Sequence, residues 1–423
     1  MIGPLLIDLA PRVTHADAAR VLDDTLSVVV DGEGPTGVAA DESDTLQVRV
    51  AAGGRIGWAG GATAAAADVI QAALRSAESS DAATLLPPAP APLPSVVTRS
   101  PAASSLSARD LLELAGGLMD RLQRRGRRVE VWAERSAGSV EVANTRGVSA
   151  AYEVTLAGLG VTVQDDRTAA VCRVHLSQVG APGLAEIESI VRETEFRLGF
   201  PVLEDVVVGP SARVWFRPRA VRALLAPVLA RLAGQAWIDG RQRWPVLDAR
   251  LTLIDDPLAD GRPASRPISD DGVVARRVTL IEAGVPRTGA IDLGLASATR
   301  LPATGHGRQR GYAAPRVGFS NLVMLPGPTP VDQLGAEVGD GLLVADLVPG
   351  SAPNPAAGGF RAEAPWTYLV AQGRVVGRVE GAVLSGDVFA MLNRVVAIGA
   401  ETDWIGAWRL PSLVLDGVGA VVR

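Results

Sequence analysis

Residues 212–244 read ARVWFRPRAVRALLAPVLARLAGQAWIDGRQRW. Val214, Trp215 and Phe216 make a short apolar strand, and Arg217-Pro218 a turn. Val221, Leu224, Leu225, Val228, Leu229 and Leu232 then recur at helical spacing as one apolar stripe, with Arg222 and Arg231 off it. Pro227 stands inside the stripe. An interior proline forfeits a backbone hydrogen bond at a cost of about 3 kcal/mol, so a kink is expected there.

Around this stretch lies a chain of 423 residues, long enough for two or three domains with real cores. Hydrophobic residues make up 48% and charged residues 21%, which fits a globular and not a disordered chain. The net charge of −5 gives no basic footprint for nucleic acid and no polybasic patch for anionic lipid. There is no lysine; every basic side chain is arginine. A Walker A loop, a pyridoxal Schiff base and a Ser–Lys dyad each need a lysine and are excluded. The single Cys172 cannot form an internal disulfide. MIGPLLIDLAPR lacks the basic start and apolar length of a signal peptide, and no apolar run approaches a membrane span. A cytoplasmic location is expected.

Taken in order, Ala16 to Leu22 reads as helix and Leu26 to Val30 as strand. Thr45 to Ala51 alternates as a half-buried strand, Gly53-Gly54 makes a hairpin turn, and Ile56 to Trp58 returns. Ala62 to Ala77 is an Ala-rich helix. Residues 86–105 are rich in Pro, Ala and Ser and suit a linker or an extended crossing segment. Beyond them come a helix from Ala108 to Arg124, strands at 128–133, 139–144, 147–164 and 168–177, and a helix at 187–198. From Gly209 strands dominate, at 274–283, 342–348, 366–370, 374–383 and 413–422, with a helix from Asp387 to Ala397. There is no strand–helix alternation of the kind a doubly wound parallel sheet requires.

His15 and His175 stand alone and read as structural or solvent-facing. His306 lies in TGHGRQRGY, residues 304–312. The glycine spacing there is not the dinucleotide fingerprint, which leaves plain turn chemistry or a cavity-lining loop. No Cys/His cluster and no helical His pair has zinc-ligand spacing. Asp255-Asp256 and Asp270-Asp271 flank turns, where aspartates bond local backbone. No Ser nucleophile elbow is present. Residues alone point to an α+β protein with no self-sufficient active site.

Several stretches, in their order and spacing, resemble the TldD/PmbA family of peptidase subunits. They are Leu46 to Val50 followed by Gly54 to Ala59; VEVANTRGVSAAY at 140–152; LTLIDDP at 251–257; Ser269 to Val273; Phe319-Ser320-Asn321-Leu322 with Leu325-Pro326-Gly327; Leu384 to Asp387; Ile398 to Asp403; and Leu410 to Leu413. The chain departs from the family pattern at Thr145, where Ser is usual, and at Asp271, where Glu is usual. The resemblance implies an α+β architecture: an N-terminal α/β unit (1–85), a Pro/Ala-rich linker (86–105), a middle mixed unit (106–205) and a large strand-rich C-terminal domain (206–423).

It also implies a heterodimer around an enclosed cavity. A TldD-type subunit carries zinc on an H-E-x-x-x-H helix with a later cysteine, and a TldE (PmbA)-type subunit keeps the fold without the metal. In this chain Ala226 and Arg231 stand where the two histidines would be, and Pro227 where the glutamate would be. No cysteine lies between Trp404 and Leu410. The expectation is therefore a metal-free subunit with no catalytic residue and no cofactor of its own. It would pair with a zinc-bearing TldD-type partner that cleaves small or unfolded peptides. His306, Arg308, Arg310, Tyr312, Phe319, Ser320 and Asn321 are the candidate cavity-lining residues, and Arg308 and Arg310 could hold a peptide carboxylate. Two other readings stay open: a pair acting on a specialised small molecule or modified peptide, and a homodimeric binding or scaffold protein.

Overall fold

The computed structural model describes every residue except 1, 167, 169, 207, 210, 241, 242, 351–353 and 423, and not the side chains of 7, 8 and 10. Residues 241 and 242 of the opening stretch, and residue 169 of the strand expected at 168–177, therefore lie outside the described residues. Among the described residues the strands form two large sheets and one two-stranded ribbon.

The first sheet is antiparallel and has six strands: β1 (His15–Asp31), β2 (Gly34–Ala52), β3 (Arg55–Ala62), β4 (Arg127–Asn144), β5 (Ser149–Asp165) and β6 (Ala170–Gln178), in the order β3-β2-β1-β4-β5-β6. Its helices are α1 (Gly3–Leu9), α2 (Ala66–Glu78), α3 (Pro101–Ser104), α4 (Ala108–Leu122) and α5 (Leu184–Leu198). The β1–β4 register runs unbroken from Asp17↔Asn144 to Asp31↔Glu130. The units expected at 1–85 and 106–205 thus share one sheet.

The helix expected at Ala16 to Leu22 is strand. Alanine favours helix locally, but this run is paired on both sides, by β2 and by β4. It obeys a period of two. Ala16 and Ala18 pack with Leu46, Val48 and Val50, while Asp17 on the other face meets its cross-strand partner Arg49. Tertiary pairing outweighs a weak propensity. The Gly53-Gly54 turn is as expected, with φ of 57° and 74° at the two glycines, a left-handed geometry that lets β2 fold back on β3.

Residues 86–105 are an extended crossing segment pinned at several points. Asn144 Nδ2 donates to the Pro88 carbonyl (2.9 Å), Arg146 Nη1 to Pro87 (2.7 Å), and the Thr155 N–H to Thr98 (3.0 Å). Pro-rich backbone lacks donors of its own, so its carbonyls are bonded from neighbouring elements.

The second sheet holds β7 (Ala212–Phe216), β8 (Leu253–Asp255), β9 (Val278–Glu282), β10 (Val285–Pro286), β13 (Leu322–Met324), β14 (Gly341–Pro349), β15 (Gly359–Ala371), β16 (Arg374–Val379), β17 (Val383–Asp387), β18 (Val395–Ile405) and β19 (Trp408–Val421). β11 (Gly307–Arg308) and β12 (Arg316–Val317) form the ribbon. β19 pairs with both β17 and β7, and β7 pairs with β14, so β19-β17-β15-β14-β7 close into a barrel-like ring. The helices are α6 (Pro218–Leu224), α7 (Ala226–Leu232), α8 (Gly234–Gly240), α9 (Leu293–Thr299), α10 (Leu334–Val338) and α11 (Val388–Leu392). The helix expected from Asp387 to Ala397 is the short α11, capped by the Asp387 carboxylate on the Ala390 N–H. Val395 already belongs to β18, where pairing with β19 takes over.

The kink at Pro227 is realised as a break. α6 ends at Leu224, Leu225 bridges, and α7 begins with Pro227 in its first turn, where its missing N–H costs little. Val221, Leu224, Leu225, Val228 and Leu232 are buried in the core with Phe216, Leu410 and Leu413, and Leu229 packs against it partly buried. Each such side chain contributes on the order of 2 kcal/mol of burial.

Candidate functional site

The loop quoted at 304–312 folds into the β11–β12 ribbon, which places Arg308 directly opposite Arg316. Gly307 is needed for close approach, since a Cβ there would sit 2.0 Å from Asp271 Oδ2. Asp271 in turn accepts from the Ser269 hydroxyl and from the Leu293 N–H (2.8 Å), beside the first turn of α9. Asp256 accepts from the Leu258 N–H (3.1 Å). These acidic residues organise local backbone.

Between the ribbon and the face of the first sheet lies a cavity of about 480 Å³. Val21, Val140, Val154 and Leu156 give it an apolar wall from β1, β4 and β5. Arg266, Arg308, Arg310, Arg316 and Phe319 line it from the C-terminal domain. Asp270 is fully buried behind the arginines. It accepts from Arg310 Nε (3.0 Å) and Nη2 (3.3 Å) and from the Gln309 N–H (3.1 Å), and lies 3.9 Å from Arg308 Nη1. Arg308 Nη2 also donates to the Phe319 carbonyl (3.3 Å). Burial, with the charge of Asp270 nearby, pushes the Tyr152 hydroxyl up to about 12, so it stays protonated on the cavity wall at neutral pH.

Of the seven candidate cavity residues, Arg308, Arg310 and Phe319 therefore line this cavity. Tyr312 is on the outer surface, 69% exposed. His306, Ser320 and Asn321 are buried behind the wall. His306 Nδ1 lies 2.8 Å from Thr304 Oγ1, its ring meets Phe319 edge to face, and its Nε2 is 2.6 Å from Asp255 Oδ2, off the line of a straight N–H bond. Ser320 donates both its N–H and its hydroxyl to the same Asp255. The carboxylate thus stands between the serine and the imidazole, so the imidazole does not reach the serine proton. This geometry is not that of a nucleophile with its base. Asn321 Nδ2 donates to the Asp256 carbonyl (3.0 Å) and Ser265 Oγ (2.9 Å), and its Oδ1 accepts from the Ala264 N–H (3.2 Å). It pins the 256–265 loop.

Arg266, Arg316 and Tyr152 were not anticipated as lining residues. Arg266-Pro267 and Arg316 carry no motif, and only the packing of the two sheets brings them together. A larger cavity, about 620 Å³, lies where β6 and α5 meet the start of α6 and the end of β18. His175, Glu193, Arg217, Arg219 and Asp403 are on its wall, and burial pushes the Asp403 carboxyl up.

Ala226, Pro227 and Arg231, where the family resemblance places the two zinc ligands and the base, do not fit a metal ion. Ala226 and Pro227 offer no donor atom. Arg231 brings a cation that is already engaged: it lies 5.4 Å from the Trp244 ring centre and 5.5 Å from that of Phe389, and donates to the carbonyls of Ala356 (3.0 Å) and Arg243 (2.8 Å). Cys172 belongs to β6 of the first sheet and is fully buried. Among the described residues no group of three or more His, Cys, Asp or Glu side chains is arranged to hold a metal. No described helix is long and apolar enough to cross a membrane.

The barrel-like ring with its helical insertions is a metallopeptidase-like fold. Residues 210–421 match the model of the PmbA/TldA metallopeptidase C-terminal domain, and the chain belongs to the TldD/PmbA family. A metalloprotease of Archaeoglobus fulgidus is 31% identical over 179 residues, 41% of this chain and 40% of that one. A metalloprotease TldD homolog of Haemophilus influenzae is 28% identical over 153 residues, 36% of this chain and 32% of that one. The matches thus span only about a third to two fifths of these curated relatives. The crystal structure of TldE from Thermococcus kodakarensis superposes with a TM-score of 0.84 at 18% identity, covering 99% of both chains, and supports the fold along its whole length.

Proposed function

We propose that this chain is the metal-free, TldE/PmbA-type subunit of a cytoplasmic heterodimeric peptidase. A TldD-type partner would carry the zinc and the chemistry on small or unfolded peptides. This chain would complete the wall of the peptide cavity and hold the partner in its active form.

The observation that carries the reading is the α6–α7 break. The three positions at which the family resemblance places two ligands and a base hold an alanine, a first-turn proline and an arginine committed to two aromatic rings. None can ligate zinc or take a proton from water. Ser320, buried off the cavity wall and separated from the His306 imidazole by Asp255, likewise supports a chain without its own nucleophile. Co-expression with a TldD-type subunit tests the proposal. A stable one-to-one complex, with zinc and peptide hydrolysis only when the partner is present, is expected. Stoichiometric zinc in this chain alone would overturn it.

A further inference from the structure

Arg266 is 1% exposed, and only its Nη2 has a protein partner, the Gly305 carbonyl at 2.9 Å. Its Nε and Nη1 have none, and among the described residues no carboxylate lies within ion-pair distance of it. A buried guanidinium with two idle donors is expensive unless something in the adjoining space accepts from them. That space is the 480 Å³ cavity, whose wall Arg266 forms with Arg308, Arg310 and Arg316. Two carboxylates oppose these four cations. Asp270 is spent on Arg310 and Arg308. Asp23 is on the wall and already accepts from the hydroxyls of Ser136 and Thr25. The excess positive charge therefore sits at Arg266 and at the exposed rim residue Arg316.

We infer that this cavity binds the free C-terminal carboxylate of a peptide whose last side chain is apolar. Arg266 anchors the anion, and Val140, Val154, Leu156 and Phe319 receive the side chain. The volume decides between anions: it lies in the range that holds a small organic ligand and far exceeds a bare phosphate. The apolar wall would be wasted on an ion with no apolar body. The choice of a peptide as the source of the carboxylate rests on the peptidase-subunit reading. Binding itself is measured on this chain alone, so failure of the heterodimer would leave the test intact.

The experiment is calorimetric titration of the chain with N-acetyl-Ala-Ala-Phe as the free acid and as the amide. The acid is expected to bind about tenfold or more tightly than the amide, since a charge-assisted contact is lost in the amide. Arg266→Met should remove that preference. Because a buried variant can fail to fold, Arg316→Gln at the exposed rim serves as the second probe and should weaken the acid severalfold while leaving the amide unchanged. Equal affinity for acid and amide, no heat with either at millimolar concentration, or displacement of the acid by equimolar inorganic phosphate would each overturn the assignment.

Discussion

The Arg231 guanidinium lies 5.4 Å from the centre of the Trp244 ring, while its Nη2 donates to the carbonyl one residue before that ring. A side chain standing where the family pattern suggests a metal ligand has become a clamp between α7 and the segment after α8. Cation–π contacts of this kind contribute about 0.5–2 kcal/mol, and the two backbone hydrogen bonds add to them. Arg231→Ala should therefore destabilise the chain by about 1–3 kcal/mol in urea titration. Arg231→His should do nearly the same and bring no zinc with it. Recovery of bound zinc by atomic absorption in Arg231→His would contradict the structural role.

Pro227 makes the opposite case. Because α7 starts at Ala226, the proline occupies a first turn and removes no bond that the break at Leu225 had not already removed. Pro227→Ala is expected to change stability by less than about 1 kcal/mol. A proline one turn later, at Ala230, should cost about 3 kcal/mol. Equal losses for the two would mean that the helix is continuous through Leu225 in solution.

His306 and Asp255 are a buried pair without access to substrate, so His306→Ala is a stability variant. It leaves the Asp255 carboxylate with Ser320 alone in a site shut off from water. Removing the buried ring, with its Thr304 hydrogen bond and its contact with Phe319, costs roughly 3 kcal/mol. The denaturation midpoint should fall by the corresponding amount. Peptide hydrolysis by a complex with a TldD-type partner should be unchanged wherever the variant remains folded. A fall in kcat without a fall in stability would place His306 in the chemistry instead.

What could be read from the sequence divides along a physical line. The Gly53-Gly54 turn, the α6–α7 stripe and the Pro227 break depend on neighbours a few residues away, and the pattern shows them. The strand at Ala16 to Leu22 depends on β2 and β4, one of which lies beyond the Pro-rich crossing segment, and local propensity points the other way. The candidate site was half legible. Arg308 and Arg310 stand in the glycine-rich stretch and Phe319 in the segment that resembles the family, and both stretches lie on the cavity wall. Ser320 and His306 were misplaced because only the folded pairing with Asp255 turns them inward. Arg266 could not be found at all, since an arginine between a serine and a proline gives no sign that two of its nitrogens will be buried without partners.

Cys172 offers a test of the first sheet's core. It is fully buried in β6 beside Val161 and Val163, and burial pushes its thiol up to about 12. The reactive thiolate is then absent at neutral pH. Iodoacetamide should leave the native chain unmodified and label it fully in denaturant, with mass spectrometry as the readout. Rapid native labelling would mean that β6 opens locally.

The Arg20–Asp44 pair ties β1 to β2 and predicts a dependence on pH. Arg20 Nε and Nη2 donate to the two Asp44 oxygens at 2.8 and 2.7 Å, and Thr63 Oγ1 adds a third bond. These Arg20 hydrogen bonds, against the opposing effect of partial burial, hold the Asp44 carboxyl below its ordinary value. A depressed folded-state pKa means that the carboxylate's contribution is complete above the unfolded-state value, about 4, and is lost as pH falls through the folded-state value beneath it. The side chains are 25% and 33% exposed, so the pair contributes no more than about 1 kcal/mol after solvent screening. The stability gap between wild type and Asp44→Asn should stay constant from pH 7 down to about pH 4 and close below that. Urea titrations across that range measure it. A gap that persists in strong acid would show that Asp44 acts through packing and not through its charge.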